Sequence, residues 1–352
     1  MTAAEQLLQA ATPSADIPGA VLTTGDRHGT TATWVWGLAD TTPGAKREMT
    51  AGRTFDLASL TKVVCTTVLV LGLVADGRVR LSDPIGDRLP GAAGDNPGVT
   101  LQRLLTHTSG LPATVKSWTS HADADGAWRA IREIRPVDEP GTSVRYSDVG
   151  FMLLGQLVEA VLGTPVDEAF RRRVAVPLGL SSTGFRPSGP VSSFAATERR
   201  PDGTPWVGVV HDENARFLGG VAGHAGLFAT AADLSRFATW WVGEGDGPVP
   251  AVLRRRAERC WTEDTTGGRR GLGWVCRGDS FDFLQGWPAS AVCHTGFTGT
   301  SIALDPVSGR WVVLLTNAVH HSRAKEPIKA LRRELHAVLA PPGTGNPPRP
   351  GD

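Results

Sequence analysis

The chain has 352 residues, of which 41% are hydrophobic and 20% charged, and a formal net charge of +1 at pH 7. That length supports a full core and more than one compact unit, and the composition is that of a soluble globular protein. The near-neutral balance gives no electrostatic case for nucleic acid or an anionic membrane as partner.

Residues 1–16 lack a basic n-region and a long apolar h-region, so no secretory signal is expected and a cytoplasmic location fits. Residues 2–11 read as a short amphipathic helix, stopped by Thr12 and Pro13. Two strands follow, 19–24 and 30–38, joined by turn residues 25–29. Residues 55–75, F-D-L-A-S-L-T-K-V-V-C-T-T-V-L-V-L-G-L-V-A, then read as a helix whose apolar run, 63–74, is too short to span a bilayer. From about 76 to 226, glycines and prolines punctuate helical stretches, among them 100–105 and 149–162. Another helix, 233–242, opens at an acidic cap, Asp233. The last third is β-rich, with strands at 271–277, 291–294, 299–305 and 311–317. Its turn, Asp305-Pro306-Val307-Ser308-Gly309, predicts an antiparallel hairpin. An amphipathic helix at 327–339 precedes a Pro/Gly-rich tail, 341–352, expected to be disordered.

Strands at both ends with helices between them predict an α+β fold. One antiparallel sheet is assembled from both termini (1–75 plus 227–340) and flanked by helices, with a mainly helical insertion at 76–226. Cys65, Cys260, Cys276 and Cys293 are scattered, with no C-x-x-C pair and no histidine at ligand spacing, so no disulfide framework, metal or cofactor is expected. Oligomeric state is left open.

Ser59 and Lys62 stand three residues apart at the head of the apolar helix, so both side chains project from one face. A hydroxyl beside an amine suits an activated nucleophile, and burial lowers a lysine's pKa toward that of a base near neutral pH. On this stretch alone, a serine cap followed by a snorkelling lysine is the plainer reading. Lysine occurs only at 46, 62, 116, 325 and 329, which makes one at the head of an apolar helix unusual for this chain. A second S-x-x-K, Ser322 to Lys325, is flanked by His320, His321 and Arg323 and reads as a solvated helix start.

Tyr146 is the sole tyrosine. Its phenol becomes a usable base beside a cation, which Lys62 can supply. Asp148 caps the following helix and can also position Lys62. His294-Thr295-Gly296-Phe297 closes a β segment, where glycine admits a substrate to the backbone and an edge strand offers N–H groups to an oxyanion. A plain turn between strands is the alternative there. His107 and His224 read as hydrogen-bonding loop histidines, and His211 as a residue that could line the cleft. Trp118, Trp206 and Trp287 lie in loop-like contexts that could line an acyl pocket.

Together, Ser59-Leu60-Thr61-Lys62, Tyr146-Ser147-Asp148 and His294-Thr295-Gly296 resemble the S-x-x-K, Y-x-N and K-T-G elements of serine β-lactamases and penicillin-binding proteins. L-T-H-T-S-G-L-P at 105–112, G-G-V-A-G-H-A-G-L-F at 219–228 and L-T-N at 315–317 are similar to signatures of the class C β-lactamase-like branch, which includes family VIII-type esterases and peptidases. The resemblance runs from about residue 15 to 340. It implies Ser59 as the nucleophile of an acyl-enzyme, and Lys62 and Tyr146 sharing general base and acid work. It also implies the N–H groups of Ser59 and Phe297 as an oxyanion hole.

Two positions depart from the pattern. Asp148 stands for asparagine, so an extra negative charge near Lys62 raises that lysine's pKa. His294 stands for lysine, so the cation that greets a substrate carboxylate is mostly absent at neutral pH. Both favour an esterase or amidase over a β-lactamase. The expected function is a serine hydrolase of a small ester or amide. The alternatives are transfer of the acyl group to an amine or alcohol acceptor, and a non-catalytic ligand sensor.

Overall fold

A computed structural model describes residues 1–12 and 16–341; of the expected disordered tail, 342–352 lies outside the described residues. Helix α1, Ala3–Ala11, starts at a capping box in which Thr2 and Glu5 satisfy each other's backbone N–H groups. Strands β1 (Gly19–Asp26) and β2 (Gly29–Asp40) form a hairpin. Its turn is held by the Asp26 carboxylate, which accepts the His28 N–H at 2.8 Å. Short β3 (Arg47–Glu48) continues the sheet beyond β2.

Strand β1 is also where the two ends of the chain meet. It pairs antiparallel with the last strand, β10 (Arg310–Thr316), with Leu22 opposite Leu314. The order β3-β2-β1-β10-β9-β8-β7 is completed by β9 (Ser301–Asp305), β8 (Val292–Thr295) and the two-residue edge β7 (Val275–Cys276). The antiparallel sheet is therefore built from both termini, as expected.

Successive side chains of a strand face opposite sides, and here each side has its own core. Val21, Ile302, Leu304, Val313 and Leu315 belong to the larger core, beneath the central helices. Their neighbours Ala20, Leu22, Ala303, Val312 and Leu314 pack with α1 and the final helix.

A second sheet, β4 (Thr54–Asp56), β6 (Leu227–Thr230) and β5 (Gly184–Phe185), lies across the central region. It delivers the chain to Ser59. Residues 58–60 form one 3-10 turn, residues 62–66 a π turn, and α2 (Thr67–Ala75) completes the run. By length and composition, Ala58–Ala75 could cross a membrane, but 83% of it is buried inside this fold. Counting from Ala58 thus corrects the expectation that the run is too short.

In the middle region, α3 (Leu101–Leu105) is capped by Thr100. Helix α4 (Asp148–Leu162) is buried at every position from Val149 to Val158 and ends at Gly163, whose φ of 69° suits a glycine C-cap. Helix α5 (Ala231–Val242) corrects a boundary, because Thr230 caps it. The expected cap, Asp233, instead accepts the Ser182 N–H at 2.7 Å and the Thr183 hydroxyl at 2.9 Å. Helices α6 (Ala251–Glu258) and α7 (Glu326–Val338) follow.

Candidate active site

The nucleophile's position is set from the end of β4. The buried Asp56 carboxylate accepts the Ala58 N–H at 2.8 Å and the His211 N–H at 2.6 Å. Ala58 takes a φ of 45°, rare for a residue with a Cβ, and this turns the chain sharply into the Ser59 helix. Thr298 and Thr300 donate to the carbonyls of Asp56 and Leu57 at 2.7 and 3.1 Å. The serine turn and the His294–Gly296 segment are thereby latched together. Gly296 sits at the latch, where a Cβ would stand 2.2 Å from the Thr300 hydroxyl and 2.3 Å from the Leu57 carbonyl oxygen. Only glycine fits there. The two threonines were not singled out in the sequence; the signal was the repeated Thr-Gly pattern of 295–300.

Lys62 is fully buried. Its Nζ donates to Ser59 Oγ and to the His224 carbonyl, each at 3.0 Å, and forms an ion pair with Asp148 Oδ1 at 2.7 Å. Asp148 is free for this because Ser147, not Asp148, caps α4, its Oγ accepting the Gly150 N–H at 3.1 Å. Burial alone lowers the lysine's pKa, as expected from the sequence, but Asp148 and Tyr146 outweigh it and leave Lys62 above its ordinary value. The expected neutral amine is therefore replaced by a persistent ammonium. The Tyr146 phenol sits beside Lys62 and Ser59; burial raises its pKa above the usual 10, and the Lys62 charge only partly offsets that. Lys62 Nζ stands 5.0 Å from the centre of the phenol ring.

His107 holds the tyrosine loop from behind. Its Nδ1 accepts the Ser147 N–H at 3.1 Å, its carbonyl accepts the Arg145 N–H at 2.8 Å, and its ring lies 4.5 Å from that of Tyr146. Like His224, whose carbonyl grips Lys62, it plays the hydrogen-bonding part expected of it.

His294 is buried and neutral; burial first, then Lys62 and Arg270, push its pKa down to about 3. Its Nδ1 donates to the Thr295 carbonyl at 2.9 Å. Strand β8 is not the edge strand the sequence led one to expect. Edge strand β7 pairs only with Val292 and Cys293, so residues 294–297 run past it. The Phe297 N–H has no carbonyl partner among the described residues, and neither has the Ser59 N–H in the first turn of its helix.

These residues open on a cavity of about 320 Å³ lined by Ser59, Tyr146, His294, Thr295, Gly296 and Phe297. Arg270, Lys325, Lys329 and Arg332 also line it, with Val275 and Phe281. Arg270 is paired with Asp279 at 3.2 Å and Lys329 with Glu326 at 3.1 Å. Lys325 and Arg332 have no carboxylate partner among the described residues. Lys325 corrects the reading of a solvated helix start. It lies 3.3 Å from the Phe297 ring centre and donates to the Phe297 carbonyl at 2.7 Å, and burial lowers its pKa to about 8. The cation absent at position 294 thus returns from α7.

Neither Trp206 nor Trp287 lines this cavity, against expectation. Trp287 is buried and donates to the His336 carbonyl at 2.9 Å, and Trp206 lies between Arg200 and Arg216. The Trp118 side chain lies outside the described set. The His211 ring stacks on Phe297 with centres 5.6 Å apart, behind the cavity wall. Among the described residues, no group of three or more His, Cys, Asp or Glu side chains is placed to hold a metal ion.

The sequence matches the Beta-lactamase family over residues 4–336. The chain belongs to that family. A protein of Escherichia coli (strain K12), provisionally named a D-alanyl-D-alanine carboxypeptidase, is 32% identical over 313 residues, 77% of this chain and 70% of that one. Among solved structures, a class C beta-lactamase superimposes with a TM-score of 0.78 at 18% identity, covering 98% of this chain and 96% of its own. EstCE1, a hydrolase with promiscuous acyltransferase activity, gives 0.74 at 22% identity, covering 95% and 98%. Family members are serine hydrolases or acyltransferases, so this chain is an enzyme of that class.

Proposed function

We propose that the protein cleaves a small ester or amide through an acyl-enzyme on Ser59. The observation that carries this is Ser59 Oγ at 3.0 Å from the fully buried Lys62 Nζ, with Tyr146 beside both and Ser59 and Tyr146 lining one open cavity. Lys62 serves as the cation that stabilises a Tyr146 phenolate, because Asp148 keeps its proton in place. As the Ser59 Oγ–carbonyl carbon bond forms, the phenolate takes the serine proton. It returns that proton to the leaving oxygen or nitrogen as the scissile bond breaks. Water, or an amine or alcohol acceptor, then loses a proton to Tyr146 while attacking the acyl carbon, and Tyr146 passes that proton to Ser59 Oγ as the acyl–Oγ bond breaks, restoring the hydroxyl and the phenolate. The Ser59 and Phe297 N–H groups receive the oxyanion. Lys325, a cavity-lining cation with no carboxylate partner among the described residues, favours a substrate with an anionic group there.

Incubation with a p-nitrophenyl ester, followed by intact-mass measurement, tests this. The wild-type protein gains one acyl group and turns over, and Ser59→Ala does neither while melting at the wild-type temperature. A folded wild-type protein that gains no adduct and shows no turnover would instead be a ligand sensor. Product analysis with and without added amines and alcohols separates hydrolysis from transfer.

A further inference from the structure

Arg332, on α7, is 6% exposed and forms no ion pair with a carboxylate among the described residues. A buried guanidinium without a counter-ion is costly, so its retention calls for a compensating role. One guanidinium nitrogen, Nη2, reaches the turn that carries the Phe297 N–H, donating to the Thr300 carbonyl at 2.8 Å and, more weakly, to the Gly296 carbonyl at 3.5 Å. The Thr300 carbonyl is the same one that receives the Gly296 N–H at 2.7 Å and closes the turn.

The Gly296 carbonyl and the Phe297 N–H are the two ends of one planar peptide unit. A charged donor on the carbonyl draws electron density from that unit and makes its N–H a stronger donor. A negative charge forming at the Phe297 N–H would also be the counter-ion that Arg332 otherwise lacks. We infer that Arg332 is a positioning residue for the oxyanion, pinning the 296–300 turn and polarising the Phe297 N–H. The inference rests on the serine acyl-enzyme reading.

A neutral substrate and a neutral inhibitor test it without engaging charge recognition at the cavity mouth. In single-turnover acylation by p-nitrophenyl acetate, Arg332→Met slows the step about 100-fold, the usual size of losing an oxyanion contact. The KM for that ester moves far less. An arylboronic acid becomes a tetrahedral anion on a serine, and its affinity falls by a similar factor. Arg332→Lys restores part of both losses, because it keeps the charge without the guanidinium nitrogen shared between the two carbonyls. Should Arg332→Met not fold, Arg332→Lys alone is expected to lose about tenfold in both measurements.

Acylation at the wild-type rate in a folded variant overturns the inference. So does slowed acylation with unchanged boronic acid affinity, since a residue that merely anchors α7 would give that pattern. Both results leave the Ser59 reading standing, whereas failure of the wild-type protein to acylate removes the two together.

Discussion

A carboxylate rather than an amide at position 148 changes where protons reside around Ser59. The Asp148–Lys62 ion pair at 2.7 Å keeps the ammonium charged, and the same negative charge opposes ionisation of Tyr146. If the phenolate is the working base, activity rises as pH increases through the alkaline range. Asp148→Asn removes the opposing charge, so the phenol releases its proton more readily. The rising limb of kcat/KM against pH is then expected to move about one unit toward acid. An unmoved limb would show that Tyr146 ionisation does not govern the rate. Ser147 and Asp148 are both good helix caps, and the sequence favoured the aspartate. What decided the matter is a buried cation, whose position depends on two helices meeting and is not written in local spacing.

At the scale of elements, S-x-x-K was legible because an apolar run follows Ser59, and the β9–β10 hairpin because the turn residues were plain around 305–309. Lys325 was not legible. Its own neighbours are polar, and only the return of α7 against β8 brings it to Phe297. Likewise, Ala58 gave no sequence signal, although its positive φ turns β4 into the nucleophile helix. Ala58→Gly removes that strain and also a buried methyl, two effects of about 1 kcal/mol and opposite sign, so stability should change by no more than about 1 kcal/mol. Ala58→Val places a β-branched residue at a positive φ and overfills a buried site, with an expected loss of roughly 2–4 kcal/mol. Urea titration of both variants measures the difference. Equal stability of the valine and glycine variants would mean that the turn relaxes out of the left-handed region.

Across the whole molecule, two cores on opposite faces of one sheet enclose histidines that the fold keeps neutral. Burial pushes the pKa of His336 down to about 3, as it does for His294; its ring packs 4.6 Å from Phe283. His107 is held well below its ordinary value by burial and by Arg270, and His320 is lowered by burial. Neutral His320 is also matched on both nitrogens, donating to the Thr197 carbonyl at 2.8 Å and accepting the Thr41 N–H at 3.2 Å. Below about pH 6.5 the unfolded chain binds protons at these positions and the folded chain does not. Stability therefore falls as pH drops through that value, by about 2 kcal/mol at pH 5 for each of His294 and His336, whose folded pKa of about 3 keeps them neutral there. Glu258, Asp56 and Glu159, whose pKa values burial raises, act in the opposite sense; Glu258, at about 7, favours the fold as pH falls from there toward 4.5. His294 and His336 together outweigh Glu258, and His107 and His320 add to the loss as Asp56 and Glu159 offset it, so the net expectation is a loss on the order of 2 kcal/mol between pH 7.5 and 5. Urea midpoints at the two pH values measure it. A midpoint that stays level or rises at pH 5 would mean that these imidazoles take up protons without leaving the fold, and that the two cores are more open to water than their burial indicates.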